Sequence, residues 1–157
     1  MDHPKMIFIG SENLEDISEE SAHFLHYVHT NMRFSNKSRT DRLALHTIDE
    51  MLAFFCSKLV FPQRKNPYPK NPDLFFMTPV QRQEFLEGIR KKHGEVIAGE
   101  FYLYQQARGI GEGLWKSFQR GDTLLEDIKN LLFCDFEEDF SPSFQVVNLK
   151  REYYWGE

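Results

Sequence analysis

Apolar residues recur at steps of three and four along much of the chain, the spacing that places side chains on one face of an α-helix. In the first such segment, the stripe begins at Leu14 and extends for about five turns. We expect this stripe to face the core, which would leave His23 pointing nearly opposite to it. Its members are Leu14, Ile17, Ser21, Phe24, Leu25, Val28 and Met32.

A second helix is predicted to start at Ser38 or Thr40, because a hydroxyl side chain there can accept a hydrogen bond from the first free backbone amides. Its apolar positions cover a wider arc than those of the first helix, so we expect it to be central and the most buried. These positions are Leu43, Ile48, Met51, Leu52, Phe55 and Leu59.

The clearest helix start lies at Thr78, followed by Pro79 at the first helical position and Gln81 at the third. The helical pattern continues to Ala107, and a kink or close contact is expected near its glycines. The glycine-rich segment 109–113 is predicted to end this pattern as a loop. A short turn and a further helix capped by Asp122 follow.

Two apolar segments favour strands, Met6 to Ile9 near one terminus and Phe144 to Leu149 near the other. Each is the most economical pairing partner for the other. We therefore predict an α+β fold that is mainly helical, with four to five helices and a small sheet from N- and C-terminal strands. The 157 residues are expected to form a single globular domain, 1–157.

Net charge and amino-acid composition limit the classes of molecule that the protein is expected to bind. A formal net charge of −5 argues against a general nucleic-acid binder, while an aromatic content of 15% favours a large core or contact surface. Cys56 and Cys134 both lie in apolar runs, as reduced thiols do. The apolar run at Met6 to Gly10 is too short for a signal peptide, so a cytoplasmic protein without a membrane partner is expected.

Two pairs of residues are candidates for catalysis. His93 and Glu100 fall among the apolar positions of the third helical segment, and a buried carboxylate there would need a partner such as His93. Arg39 or Arg42, followed by His46 on the second helix, loosely resembles the Arg and His motif of four-helix nuclease families that cleave RNA. A helical hydrolase or ribonuclease is therefore one alternative function.

A metal- or cofactor-binding helical domain is a further alternative. His23, His26 and His29 follow one another at steps of three, but each step turns about 60° back around the helix axis, so the three imidazoles diverge. No pair of Cys or His has the spacing of a structural zinc site. On the sequence alone, no metal and no cofactor are predicted.

The favoured function is that of a regulator or inhibitor that binds another protein. Phe136 and Phe140 stand four apart beside several carboxylates, a pattern suited to a partner with a basic groove. The aromatic C-terminus would extend this surface. The predicted binding residues are Phe136, Glu137, Glu138, Phe140, Tyr153, Tyr154 and Trp155.

Overall fold

The computed structural model describes residues 13–30, 38–66, 77–132 and 141–154. Within these ranges the secondary structure consists of six α-helices, and no strand is present. None of the described helices is both long and apolar enough to cross a membrane. The helices are α1 (Leu14–Thr30), α2 (Arg39–Val60), α3 (Pro79–His93), α4 (Glu95–Arg120), α5 (Leu125–Leu132) and α6 (Pro142–Tyr153).

Helix α2 is central, as its wide apolar arc predicts, and it packs against α1, α4 and α6. Its N-cap is Ser38, whose hydroxyl accepts a hydrogen bond from the Asp41 amide. Ile48, Met51 and Leu52 are fully buried, and each such side chain stabilises the fold by roughly 1.5–3 kcal/mol. The core is completed by the rings of Phe55, Trp115 and Phe118, which contact one another edge to face or tilted.

The predicted terminal sheet is wrong. Residues Phe144 to Leu149 belong to α6, which starts with Pro142 at its first turn and buries Val146 and Leu149 against the core. Val146 and Leu149 are three residues apart. In a helix this spacing places both side chains on one face, whereas in a strand they would point to opposite faces. The other expected strand, Met6 to Ile9, lies outside the described residues.

The segment that starts at Thr78 forms two helices, not one. The predicted start is confirmed, because the Thr78 and Gln81 side chains exchange hydrogen bonds with each other's backbone amides. Gly94 separates α3 from α4 with a φ of +91°, in the left-handed region that favours glycine. Helix α3 buries none of its residues and packs against α4, with the Phe85 and Phe101 rings 5.6 Å apart.

The glycine-rich segment 109–113 does not form the expected loop but lies inside α4. Its glycines are buried. A Cβ atom at Gly111 would lie 3.0 Å from Phe54 Cδ1 and 3.1 Å from the Met51 carbonyl oxygen. The missing side chain therefore allows α2 and α4 to approach closely, and this packing offsets the low helix propensity of glycine.

Replacing Gly111 with Ala should destabilise the protein relative to the same change at Gly88. Both glycines are in helices and gain similar helix propensity, but a Cβ at Gly88 meets nothing within 4 Å. We expect the Gly111→Ala variant to be less stable than Gly88→Ala by about 1–3 kcal/mol, the usual cost of overpacking. Urea denaturation of both variants measures this difference, and equal stabilities would contradict the close approach.

Candidate metal centre

Helix α1 presents its polar face to the protein, so the predicted orientation of this helix is wrong. The exposed fractions of Leu14, Leu25 and Val28 are 65%, 54% and 51%. In their place, α1 buries Glu19 at 6% exposure and His26 at 1%. Buried polar groups require hydrogen bonds or opposite charges, and α2, the segment after it and α4 provide them.

One carboxylate on α2, that of Asp49, accepts hydrogen bonds from two histidines of α1. Its two oxygens lie 2.7 Å from His23 Nδ1 and 2.7 Å from His26 Nδ1. Because an ionised carboxylate only accepts hydrogen bonds, both Nδ1 atoms carry a proton. The His23 ring is thereby fixed with its Nε2 atom directed to Glu50 Oε1, 3.5 Å away.

These contacts shift the pKa values of the participating groups. Burial alone would lower the pKa of His23, but hydrogen bonds to Asp49 and Glu50 outweigh it and raise the pKa to about 10. Burial opposes ionisation of Asp49 as well, yet the hydrogen bonds from His23 and His26 bring its pKa below the usual value. His23 is therefore an imidazolium at neutral pH when no ion is bound.

Glu19 is held between two arginines from outside α1. Its Oε1 atom lies 2.9 Å from Arg108 Nη2 on α4, and its Oε2 atom lies 2.5 Å from Arg64 Nη2 in the segment after α2. Burial raises the pKa of Glu19, and the two guanidinium charges offset only part of that rise. Arg64 is itself buried, with an Nη1 atom that has no hydrogen-bond partner among the described residues.

The side chains of Glu19, His23 and Glu50 converge, one ligand atom of each lying within 4.8 Å of the others. Glu19 and His23 are four residues apart on α1, so they share one face of the helix. The cluster lines a pocket of about 340 Å³, together with Asp16, Arg64 and Arg108. It therefore combines potential metal ligands with access to small molecules. We call Glu19, His23 and Glu50 the acidic-histidine cluster.

The predicted catalytic residues lie elsewhere. His93 is exposed at the end of α3, and Glu100 lies in α4, where its side chain is outside the described part of the structure. Arg39 and His46 line a second pocket beside the acidic-histidine cluster, whereas Arg42 is exposed and is not among its lining residues. Of the three spaced histidines, His23 and His26 share Asp49, and the side chain of His29 is not described.

The predicted protein-binding surface is only partly visible. Phe136, Glu137, Glu138, Phe140 and Trp155 lie outside the described ranges, as does Cys134. The other two members of that surface hold α6 in place, because the Tyr154 hydroxyl accepts a hydrogen bond from Gln105 and the Tyr153 hydroxyl lies 3.3 Å from that of Thr123. The free thiol of Cys56 has its pKa raised to about 11 by burial, which makes it a weak nucleophile.

Sequence reasoning missed Glu19, Asp49, Arg64 and Arg108. A signal was present in the Glu-x-x-x-His spacing of Glu19 and His23, followed by the paired carboxylates at 49 and 50. The two arginines gave no such signal, because only tertiary packing brings them to Glu19. Comparison with models of protein families, with curated proteins and with solved structures finds no match.

The ionised state of His23 should make stability depend on pH. Its raised pKa means that the full stabilisation is present below 6.5 and is lost as the pH rises towards about 10. Between these values, the free energy of unfolding of ion-free protein should fall by up to about 1.4 kcal/mol per pH unit relative to His23→Gln. Denaturation at a series of pH values tests this, with the exposed His93→Gln as control. A wild-type profile parallel to that of His23→Gln would contradict it.

Proposed function

We propose that the protein binds a divalent metal ion and that Glu19, His23 and Glu50 are its ligands. The observation that carries this proposal is the convergence of their ligand atoms within 4.8 Å in a pocket open to solvent. Two carboxylates and one imidazole are common protein ligands for divalent ions. With only three protein ligands, the ion would keep open positions for water or substrate, as catalytic zinc sites do.

The spacing between His23 and Glu50 suits an ion between them. At metal–ligand distances of about 2.0–2.2 Å, neighbouring ligand atoms in tetrahedral or octahedral sites stand about 2.8–3.6 Å apart. His23 Nε2 and Glu50 Oε1 are 3.5 Å apart in the ion-free protein. An ion could therefore replace the proton on Nε2 with little movement of either side chain.

Asp49 is placed as the supporting carboxylate of such a site. Metal-binding histidines usually donate their second ring N–H to a carboxylate, which fixes the ring and increases its basicity. His23 donates Nδ1–H to Asp49 and directs Nε2 to the pocket. Since the pKa of His23 is about 10, binding at neutral pH would release a proton, and affinity would increase with pH up to that value.

The arginines beside Glu19 are compatible with a bound ion. A carboxylate has about four lone-pair positions, and Arg64 and Arg108 each approach one oxygen. Asp16, Glu19, Glu20, Asp49 and Glu50 supply five negative charges against two guanidinium groups and one imidazolium. Exchange of the imidazolium proton for a divalent cation would therefore reduce the excess of negative charge.

The ligand set favours Mn²⁺, Fe²⁺ or Zn²⁺. Imidazole suits zinc and iron, whereas a set dominated by carboxylates also suits manganese. An ion with open positions can lower the pKa of bound water, which supports metal-dependent hydrolysis as the class of reaction. This proposal replaces His93, Glu100, Arg39 and His46 as catalytic candidates with the acidic-histidine cluster. Binding of a protein partner through the segment around Phe136 stays a prediction.

Metal binding should be saturable, with one ion per chain, and should depend on His23 and Glu50. Isothermal titration of chelator-treated protein with Zn²⁺ and Mn²⁺ at pH 7.5 measures affinity, and repeating it in buffers of different ionisation enthalpy counts released protons. We expect His23→Gln and Glu50→Gln to abolish specific binding. Asp49→Asn should weaken it by about 10- to 100-fold, as is usual for a carboxylate that supports a ligand.

His93→Gln is the control, because His93 is an exposed histidine at the end of α3 and is not a member of the cluster. This variant should retain wild-type affinity. Circular dichroism establishes whether each variant is folded. If folded wild-type protein takes up neither ion, or if binding survives both ligand substitutions, the cluster serves only as an ion-pair network that joins α1 to α2.

A further inference from the structure

A second pocket lies between α2 and α4, next to the acidic-histidine cluster. It has a volume of about 400 Å³, within the range of pockets that bind small molecules. Glu50 and Tyr104 line both pockets, so the two are neighbours across these side chains. We call this second pocket the α2/α4 pocket.

One side of the α2/α4 pocket suits an apolar body. Leu43 and Leu103 contribute aliphatic surface, and the rings of Tyr102 and Tyr104 contribute aromatic surface. Leu43 has 49% of its surface exposed, although it belongs to the apolar pattern of α2. A ligand that covered this leucine and the two tyrosine rings would be stabilised, because it would remove their apolar surface from water.

The end of the pocket near the first turn of α2 suits a negative charge. Arg39 stands in that turn, four residues before Leu43, and its side chain is exposed. His46 lines the same pocket further along α2, three residues after Leu43. Arg82 lies over the Tyr102 ring, with its Cζ atom 5.6 Å from the ring centroid, and adds a positive charge nearby.

The acidic residue in the lining, Glu50, does not cancel this preference. Its Oε1 atom lies 3.5 Å from His23 Nε2, so Glu50 also borders the acidic-histidine cluster. Glu50 stands eleven residues after Arg39 on α2, which is about 16 Å along the helix axis. The negative charge of Glu50 is therefore remote from the end of the pocket at Arg39.

We propose that the α2/α4 pocket binds a small amphipathic acid, with an aromatic or aliphatic body and one anionic group. The body would lie against Leu43, Leu103 and the tyrosine rings, and the anionic group would face Arg39. This binding does not require the metal ion. Since both sites include Glu50, a molecule in this pocket would lie beside the proposed ion and is suited to be its substrate or regulator.

The experiment uses 8-anilinonaphthalene-1-sulfonate, an aromatic anion whose fluorescence increases in apolar surroundings, with the chelator-treated 157-residue chain. Leu43→Asp should weaken its binding at least tenfold, because an unpaired carboxylate would enter the apolar wall. Leu25→Asp on α1 is the matched control, since Leu25 is also exposed, at 54%, but is not among the residues lining the pocket. That variant should bind as wild type.

Charge is tested separately with Arg39→Gln and with N-phenyl-1-naphthylamine, a probe of similar shape without the sulfonate. Arg39→Gln should weaken binding of the sulfonate about two- to fivefold, as expected for an exposed charge pair, and leave the neutral probe unaffected. Arg42→Gln, an exposed arginine outside the pocket lining, is the control. Unchanged sulfonate binding in Leu43→Asp would overturn the proposal, as would an equal loss in Leu25→Asp or absence of binding to the wild type.

The outcome is independent of the metal test. If no ion binds but the sulfonate binding depends on Leu43 and Arg39, the α2/α4 pocket stands and the metal proposal fails. If an ion binds and the sulfonate does not, the metal proposal stands and this one fails. If both hold, adding Zn²⁺ or Mn²⁺ should change the sulfonate affinity in wild-type protein and not in Glu50→Gln.

Discussion

The position of α1 depends on its hydrogen bonds to the Asp49 carboxylate and on the ion pairs of Glu19. Going along α1 from His26 to Glu19, the partners advance along α2 from Asp49 to Glu50 and then to Arg64 beyond its end, so the two helices run antiparallel. Such contacts are directional, whereas apolar packing tolerates sliding. The register of α1 on α2 is therefore set by polar groups. One of them, Glu50, also lines both pockets.

This arrangement explains why the sequence predicted α2 well and α1 poorly. On α2 the apolar arc and the burial coincide, so periodicity alone identified Ile48, Met51 and Leu52 as core residues. On α1 the apolar stripe points outward, because the charged partners that stabilise its polar face come from distant parts of the chain. Hydrophobic periodicity contains no information about such partners.

Two other errors have local causes. The β-branched residues Val146 and Val147 favour a strand by propensity. The segment is nevertheless a helix, because only helical spacing allows Val146 and Leu149 to contact the core together. The glycines at 109–113 suggested a loop because glycine is a poor helix former, whereas the small size of Gly111 allows α4 to lie against Phe54. The start at Thr78 was predictable since its capping box is entirely local.

In the acidic-histidine cluster, a proton and the proposed metal ion would compete for one atom, Nε2 of His23. In the ion-free protein a proton on Nε2 joins α1 to Glu50, and in the proposed bound state the ion would take that place. The fold would therefore keep a cation at this position in both states. The negative charges of Glu19 and Glu50 would be compensated in both states. The site therefore needs no large rearrangement when the ion replaces the proton.

The weak attachment of α3 has a consequence for the dynamics of the molecule. Gly94 separates α3 from α4, none of the residues of α3 is buried, and its Arg90 forms exposed ion pairs with Glu87 and Glu95. Such an element can open by itself, at a cost far below global unfolding. Because Arg82 lies over the ring of Tyr102, which lines the α2/α4 pocket, sub-global opening of α3 would remove this cation from the ring while α2 and its core stay folded. The rate of amide hydrogen exchange in α3 would then measure this local opening, and the rate in α2 would measure global unfolding.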